Sequence, residues 1–118
     1  MDFFDVAVIG AGPAGSMAAK YAAKAGACTI LLEEHAGAGW PVQCAGLLGR
    51  EAMAESELRP GSFILSGMRG ATVFSPGGLR LNFKAKACKA WVVDRRLFDQ
   101  AMLRRAVQEG ANLRLCSS

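Results

Sequence analysis

Residues 6–15 read VAVIGAGPAG, a short apolar strand followed at once by the pattern G-x-G-x-x-G. Gly10 can turn the chain sharply off the strand, and Gly12 leaves no Cβ where a phosphate group would approach. Gly15 allows the following helix to pack closely on the sheet. Pro13 suits the first turn of that helix, where its missing N–H costs nothing. The stretch therefore predicts a strand, a tight turn and a helix whose amino end faces a pyrophosphate.

The segment that follows also fits a strand-turn-helix-strand unit. Residues 16–25 are largely alanine, with Lys20 and Lys24 four positions apart. They predict a helix with a small-residue face on the sheet and a solvated face that carries the lysines. Gly26 ends the predicted helix. Residues 27–32 read ACTILL, which is typical of a parallel strand buried on both faces.

Glu33 follows this second strand, eighteen positions after Gly15 (33 − 15). A carboxylate at this place can accept both hydroxyl groups of an adenosine ribose and would repel a 2′-phosphate, so a site of the NADP type is disfavoured. Alternatively, the glycines form an ordinary strand-to-helix turn and Glu33 is a solvated carboxylate at a strand end. Strand, helix, second strand and acid occur together, which favours a dinucleotide site. Its predicted residues are Gly10, Gly12, Pro13, Ala14, Gly15 and Glu33, with Glu34 as the more solvent-exposed acid beside them.

Composition limits the classes of protein that the chain can represent. Its 118 residues are enough for one domain with a core, and 52% hydrophobic with 20% charged residues is not the composition of a disordered chain. The net charge of +4 is dispersed, which argues against nucleic acid binding. The four cysteines form no C-x-x-C pair and His35 is the only histidine, so we expect no metal site and no disulfide framework.

The amino end gives no sign of secretion. It has no basic segment followed by an apolar one, and no apolar run in the sequence approaches the length of a membrane span. We therefore expect a cytoplasmic protein with reduced thiols and no transmembrane segment.

The rest of the chain predicts an α/β architecture. In chain order, the predicted elements are a loop (36–41), a short helix (47–58), a β-hairpin or small meander (62–83, with a turn at 75–78), a polar connection (84–89), a strand (90–93), a helix (94–109) and a further strand (111–116). The apolar face of the last helix is predicted to contain Leu97, Phe98, Ala101, Met102 and Ala106. We expect Trp40 and Trp91 to be packing residues. The pattern predicts a Rossmann-like dinucleotide-binding domain over 1–118, incomplete because a doubly wound sheet normally continues through more strands.

Several motifs together resemble the N-terminal part of the geranylgeranyl reductase family, which consists of FAD-dependent enzymes among the p-hydroxybenzoate hydroxylase-like flavoproteins. The glycine fingerprint alone indicates only that superfamily. The more specific motifs are PVQCAG and the hairpin sequence GATVFSPGG. The segments that carry the resemblance are Asp5–Ser16 (DVAVIGAGPAGS), Leu31–Glu33 (LLE), Pro41–Gly46 (PVQCAG), Gly70–Gly78 (GATVFSPGG), Val93–Arg95 (VDR) and Phe98–Asp99 (FD). The resemblance spans almost the whole chain but only about the first third of a typical member.

The resemblance implies FAD as cofactor and reduction of isoprenoid double bonds by hydride from the reduced flavin. The glycine loop would hold the FAD pyrophosphate and Glu33 the adenosine ribose, while Gln43, Cys44 and Ala45 would approach the flavin. Arg95 matches a family position near the cofactor, and because a cation at a helix start opposes the helix dipole, we expect an anionic group beside it. For a complete enzyme, the resemblance implies an isoprenoid lipid substrate, NAD(P)H or a ferredoxin-type electron donor, and peripheral membrane contact.

Other interpretations stay open at this point. Cys44 fits equally well as a small buried residue, and Arg95 with Arg96 as a solvated pair. The chain could belong to another flavoprotein of the superfamily, such as an FAD-dependent monooxygenase or a halogenase, or be a non-catalytic fragment that binds a dinucleotide weakly. We expect the 118 residues by themselves to be inactive, since the substrate-binding region of the family lies beyond them.

Overall fold

The computed structural model describes residues 3–118 as two compact units. The first combines residues 3–44 with Arg95–Ser118, and the second is Ala45–Asp94. In chain order, the elements are β1 (Val6–Ile9), α1 (Pro13–Lys24), β2 (Thr29–Leu32), β3 (Leu47–Gly49), α2 (Arg50–Glu55), β4 (Ile64–Met68), β5 (Gly70–Phe74), β6 (Arg80–Lys84), β7 (Ala90–Val93), α3 (Arg95–Gln108) and β8 (Asn112–Arg114).

The first unit is built on a parallel sheet with the strand order β1-β2-β8. Strand β2 lies in the centre, with Val8 of β1 and Leu113 of β8 both in register with Leu31. Three successive residues of β2, from Thr29 to Leu31, are buried, as expected for a strand covered on both faces. The predicted α/β class, with a parallel sheet and flanking helices, is confirmed.

Small side chains let the helices of this unit approach the sheet closely. The core cluster consists of Ala11, Ala19, Leu31, Ala38, Leu103, Ala106 and Ala111. Five of its seven members are alanine, so α1 and α3 can pack against each other and the strands without large side chains between them. The alanine-rich helix that the sequence predicts thus provides the inner face of the unit.

Gly15 allows α1 to pack closely against the turn that follows β1. A Cβ added to Gly15 would clash with the carbonyl oxygen of Gly10, far inside van der Waals contact. Gly10 itself has φ +95°, in the left-handed region that glycine enters without strain. Both glycines are therefore required by the fold of the turn, whatever it binds.

The second unit contains an antiparallel sheet with the order β3-β7-β4, a separate β5-β6 hairpin, and the short helix α2. Its buried apolar residues are Met53, Phe63 and Val93. The backbone N–H of Val93 donates to Gly46 at 2.8 Å, and that of Asp94 donates to Phe63 at 2.7 Å. The predicted hairpin is confirmed as β5-β6, whereas the preceding strand β4 belongs to the other sheet.

The predicted helix over 47–58 is wrong at both ends. Leu47–Gly49 is a strand that pairs antiparallel with Ala90–Val92, and the helix covers only Arg50–Glu55. The pairing partner lies more than forty residues away, so local sequence could not show it. At the other end, Glu57 adopts φ +58°, which stops the helix before the predicted boundary.

Two predictions about helix faces are confirmed in part. On α1, Lys24 is exposed as predicted, but Lys20 is buried, with Nζ 5.5 Å from the centroid of the Tyr21 ring. The long apolar stem of Lys20 can pack while the ammonium group keeps a polar or aromatic neighbour.

On α3, the predicted Phe98, Met102 and Ala106 are buried. The predicted Leu97 is instead 42% exposed, and Leu103 is buried in addition. The buried stripe of α3 is thus shifted slightly from the predicted face.

We expect Gly15→Ala to destabilise the first unit by about 1–3 kcal/mol, because the methyl group would push α1 away from the Gly10 carbonyl. Gly12→Ala is the matched control, since Gly12 has φ −71° and an added Cβ meets nothing within 4 Å. Urea unfolding followed by circular dichroism measures both. Equal stability of the two variants would contradict the requirement for glycine at position 15 in the packing of α1.

Candidate functional site

A cleft of about 660 Å³ opens where β1 and β2 end, and all the residues that line it belong to the first unit. Seven of the predicted site residues line it: Gly10, Gly12, Glu33, Glu34, Gln43, Cys44 and Arg95. A volume of this size is within the range of small-molecule sites. The cleft also lies at the carboxyl ends of parallel strands, where α/β proteins bind their ligands.

The glycine loop leaves open space at Gly12. Its φ of −71° suits any residue, and an added Cβ meets nothing within 4 Å, so neither conformation nor packing requires glycine there. Among the residues of 3–118, no side chain caps α1 at Gly12, which leaves the amino end of the helix to a ligand. The predicted Pro13, Ala14 and Gly15 form the first turn of α1 and do not line the cleft.

Glu33 is buried and fixed on both oxygens. Its Oε2 accepts a hydrogen bond from the backbone N–H of Ala11 at 2.8 Å, which ties the end of β2 to the middle of the glycine loop. Its Oε1 accepts from the backbone N–H of His35 at 3.0 Å and lies 2.7 Å from His35 Nδ1. The residue is only 8% exposed, so the alternative of a solvated carboxylate at a strand end does not hold.

These contacts also set the ionisation of the site. Burial by itself would raise the pKa of the Glu33 carboxyl, but the amide hydrogen bonds from Ala11 and His35, with the His35 ring, lower that pKa below its ordinary value. Glu33 is therefore ionised at neutral pH and adds negative charge beside the glycine loop. His35 was missed by the sequence analysis, although its place two residues after the acid was a usable signal.

Arg95 has the anionic neighbour that its position predicts, and this neighbour belongs to the same helix. Arg95 Nε donates to Asp99 Oδ1 at 2.8 Å, and Nη2 donates to Oδ2 at 3.3 Å. The Asp99 carboxylate raises the pKa of Arg95 above its ordinary value, burial opposes this, and the nearby Cys44 side chain adds to the increase. Asp99 is the second site residue that the sequence analysis missed.

The remaining predicted residues divide between the two units. Cys44 is exposed, so its interpretation as a buried residue is wrong, and Trp40 is 61% exposed at the cleft and not a packing residue. The Glu34 side chain is 68% exposed, and its Oε1 lies 3.9 Å from His35 Nε2. Ala45 belongs to the second unit and its predicted role stays a prediction.

Residues 3–118 contain neither a metal-binding cluster nor a helix able to span a membrane. No group of three or more histidine, cysteine or acidic side chains is placed to hold a metal ion. In the same residues, no helix is both long and apolar enough to cross a membrane.

These features define a dinucleotide-binding domain. They are a parallel βαβ unit, a glycine turn, a helix amino end without a side-chain cap, and an acid at the end of the second strand. The chain belongs to the family described as glucose inhibited division protein A, whose model matches residues 5–118. The fold class that the sequence predicts is thus confirmed by both the topology and the family.

The relatives in sequence include a reductase of the kind that the resemblance predicts. A digeranylgeranylglycerophospholipid reductase of Methanosarcina acetivorans is 35% identical over 117 residues, which cover 97% of this chain and 29% of the relative. An uncharacterized protein in the nifH2 5′ region of Methanosarcina barkeri is 40% identical over 121 residues, covering 93% of this chain and 63% of that protein. The chain thus spans less than a third of the length of the reductase.

Two solved structures are similar to this chain over almost its whole length. A geranylgeranyl bacteriochlorophyll reductase-like protein from Thermoplasma acidophilum is 31% identical with a TM-score of 0.88, over 96% of this chain and 30% of its own. The myxobacterial chondrochloren halogenase, described as a variant of FAD-dependent halogenases, is 26% identical with a TM-score of 0.75, over 96% of this chain and 28% of its own. The predicted resemblance to geranylgeranyl reductases is confirmed.

We expect Glu33→Gln to lower the free energy of unfolding at pH 7 by about 1–3 kcal/mol, because charge-assisted hydrogen bonds to Ala11 and His35 are lost. Since folding lowers the pKa of Glu33, its contribution is complete above the ordinary carboxyl pKa and is lost as the pH falls through the lowered value. The difference between wild type and variant should therefore shrink below about pH 4.

Urea unfolding at several pH values measures this difference. Glu34→Gln is the control, and because its side chain is exposed we expect a change within about 0.5 kcal/mol. A destabilisation by Glu33→Gln that is the same at pH 3 and pH 7 would show that the Glu33 charge is not its cause.

Proposed function

We propose that this chain is the N-terminal, FAD-binding part of a flavin-dependent oxidoreductase that reduces isoprenoid double bonds. The observation that carries the proposal is the hydrogen bond from Ala11 to Glu33 Oε2, which holds an ionised acid against an open glycine loop. The family match and the reductases among the relatives support the reaction class. Residues 1–118 then form an incomplete FAD-binding domain of a longer flavoprotein.

The glycine loop and Glu33 would bind the ADP half of FAD. Gly12 leaves room for the pyrophosphate, and the amino end of α1 offers it backbone N–H groups. Glu33 Oε2 accepts one hydrogen bond from Ala11 and has an acceptor position left for a ribose hydroxyl. Its negative charge would repel a 2′-phosphate, which favours FAD over a ligand of the NADP type.

The other end of the cleft would receive the flavin half. Gln43 and Cys44 are exposed there. Arg95 lines the same cleft, and its guanidinium group, which stays positively charged at every physiological pH, suits the phosphate groups of a dinucleotide. When bound and reduced, FAD supplies hydride to a double bond. In our proposal Ala45 continues this loop toward the flavin.

Substrate, electron donor and location follow from the same proposal. The names of the relatives support an isoprenoid lipid substrate. We propose a cytoplasmic enzyme that contacts the membrane peripherally, because such a lipid resides in the membrane. We propose NAD(P)H or a ferredoxin-type protein as the source of electrons. A second candidate is FAD-dependent halogenation, favoured by the likeness to the chondrochloren halogenase. The higher identity and TM-score of the reductase-like structure favour the reductase.

The visible absorption spectrum of the chain after incubation with FAD and desalting tests the cofactor. We expect retained flavin bands, and an FAD affinity at least about tenfold lower for Gly12→Val, whose side chain would occupy the space for the pyrophosphate. Gly77→Val is the control, because Gly77 lies in the turn between β5 and β6, where an added Cβ has room. A folded wild-type chain without flavin bands would contradict the proposal.

Binding of AMP and of adenosine 2′,5′-bisphosphate, measured by calorimetry, tests the role of Glu33, because the two nucleotides share the 5′-phosphate and differ in the 2′-phosphate. We expect AMP to bind more tightly, and Glu33→Ala to weaken AMP binding by about 1–3 kcal/mol, because a charge-assisted hydrogen bond to the ribose is lost. Glu33→Ala should also reduce the preference for AMP over the 2′-phosphorylated nucleotide. Glu109→Ala serves as the control, since Glu109 is exposed and does not line the cleft. Unchanged AMP affinity in Glu33→Ala would remove Glu33 from the binding site.

A further inference from the structure

Arg95 and Asp99 form a two-point ion pair at the amino end of α3. The Arg95 side chain donates from Nε to Oδ1 at 2.8 Å and from Nη2 to Oδ2 at 3.3 Å. Asp99 is only 5% exposed, whereas the Arg95 side chain is 24% exposed and lines the cleft. A buried carboxylate thus holds one edge of a guanidinium group on a side chain that is partly exposed at the cleft.

Helix stability does not explain this pair. A cation in the first turn opposes the helix dipole, and an acid four residues after a base is the less favourable order of the two. Burying the Asp99 carboxylate also carries a desolvation cost that its pairing must offset. The position of the cation, the less favourable order of the two charges and the desolvation cost of Asp99 together indicate that the pair serves the cleft and not the helix.

Two further residues adjoin the pair. Gly39 has φ +75°, and a Cβ added there would lie 2.7 Å from the Cα of Arg96 and 3.2 Å from the Cβ of Asp99. The loop before the cleft therefore packs directly on the first turn of α3, beside the Asp99 side chain. The Cys44 side chain lies near the Arg95 guanidinium and, like Asp99, raises the pKa of Arg95.

We propose that Asp99 is a positioning residue, which holds the Arg95 guanidinium toward the cleft so that its remaining N–H groups bind phosphate oxygens of the dinucleotide. The pair with Asp99 uses two of the five N–H donors of Arg95, so donors are left for phosphate oxygens even where Cys44 takes one. Such a fork suits phosphate oxygens better than a lysine would. This inference rests on the proposed function, since it takes the ligand of the cleft to be a dinucleotide.

Calorimetry with ADP and with adenosine separates positioning from a general structural role. We expect Asp99→Asn to weaken ADP binding about tenfold, because the guanidinium loses its fixed direction, and to change adenosine binding less than about twofold. In an Arg95→Gln background, Asp99→Asn should have no further effect on ADP. Equal loss for ADP and adenosine, additive effects, or tighter ADP binding after removal of the negative charge would each overturn the inference.

Arg95→Lys provides a second variant if Asp99→Asn does not fold, which circular dichroism detects. It keeps the charge beside Asp99 but removes the fork, so we expect about tenfold weaker ADP binding and unchanged adenosine binding. Wild-type affinity for ADP in Arg95→Lys would overturn the inference.

The nuclear magnetic resonance signal of the Arg95 Nε–H group tests the pair without any ligand. It should exchange slowly with water in the wild type and rapidly in Asp99→Asn. Slow exchange in both proteins would overturn the positioning role. A wild-type chain that shows the slow signal but binds neither ADP nor adenosine would instead contradict the proposed function, so the two failures are distinguishable.

Discussion

The contact between Gly15 and the carbonyl of Gly10 is the constraint on which the first unit depends. Without a side chain at Gly15, α1 can begin directly behind the turn that leaves β1. That position brings the alanine face of α1 onto β2 and α3, where the core consists mainly of small residues. Because so little side-chain volume separates these elements, a shift of the helix by a fraction of an ångström would disturb the whole core. The same position places the amino end of α1 at the cleft.

Glu33 joins this fold to its proposed function. Its carboxylate connects the end of β2 to the glycine loop through Ala11, so the two parts of the cleft that would hold ribose and pyrophosphate are fixed relative to each other. The hydrogen bonds that keep Glu33 ionised are those that orient it, and His35 supplies most of them. Because the fold itself already orients Glu33, binding a ligand to it carries a lower entropic cost.

The sequence predicted those parts of the structure whose causes are local. The glycine turn, α1, the buried strand and the acid after it all depend on residues within a stretch of thirty, and the structure has them as predicted. The strand at Leu47–Gly49 was missed because its pairing partner is distant in sequence, and the burial of Lys20 because it depends on tertiary packing. In the site, the anion beside Arg95 was expected, but its identity as Asp99 required the direction of both side chains. The family emerged from short motifs, since no physical periodicity distinguishes one flavoprotein from another.

The most direct test of the account is the set of backbone amide resonances of the chain during a titration with ADP. The account predicts shifts concentrated at residues 10–16, at Glu33, at His35 and at Arg95, because the phosphates would contact the glycine loop and Arg95 and the ribose would contact the acid. Shifts of similar size in Gly77 or other residues of the second unit are not expected. Binding of ADP that leaves the resonances of residues 10–16 unchanged would contradict the claim that the glycine loop and Glu33 form a dinucleotide site.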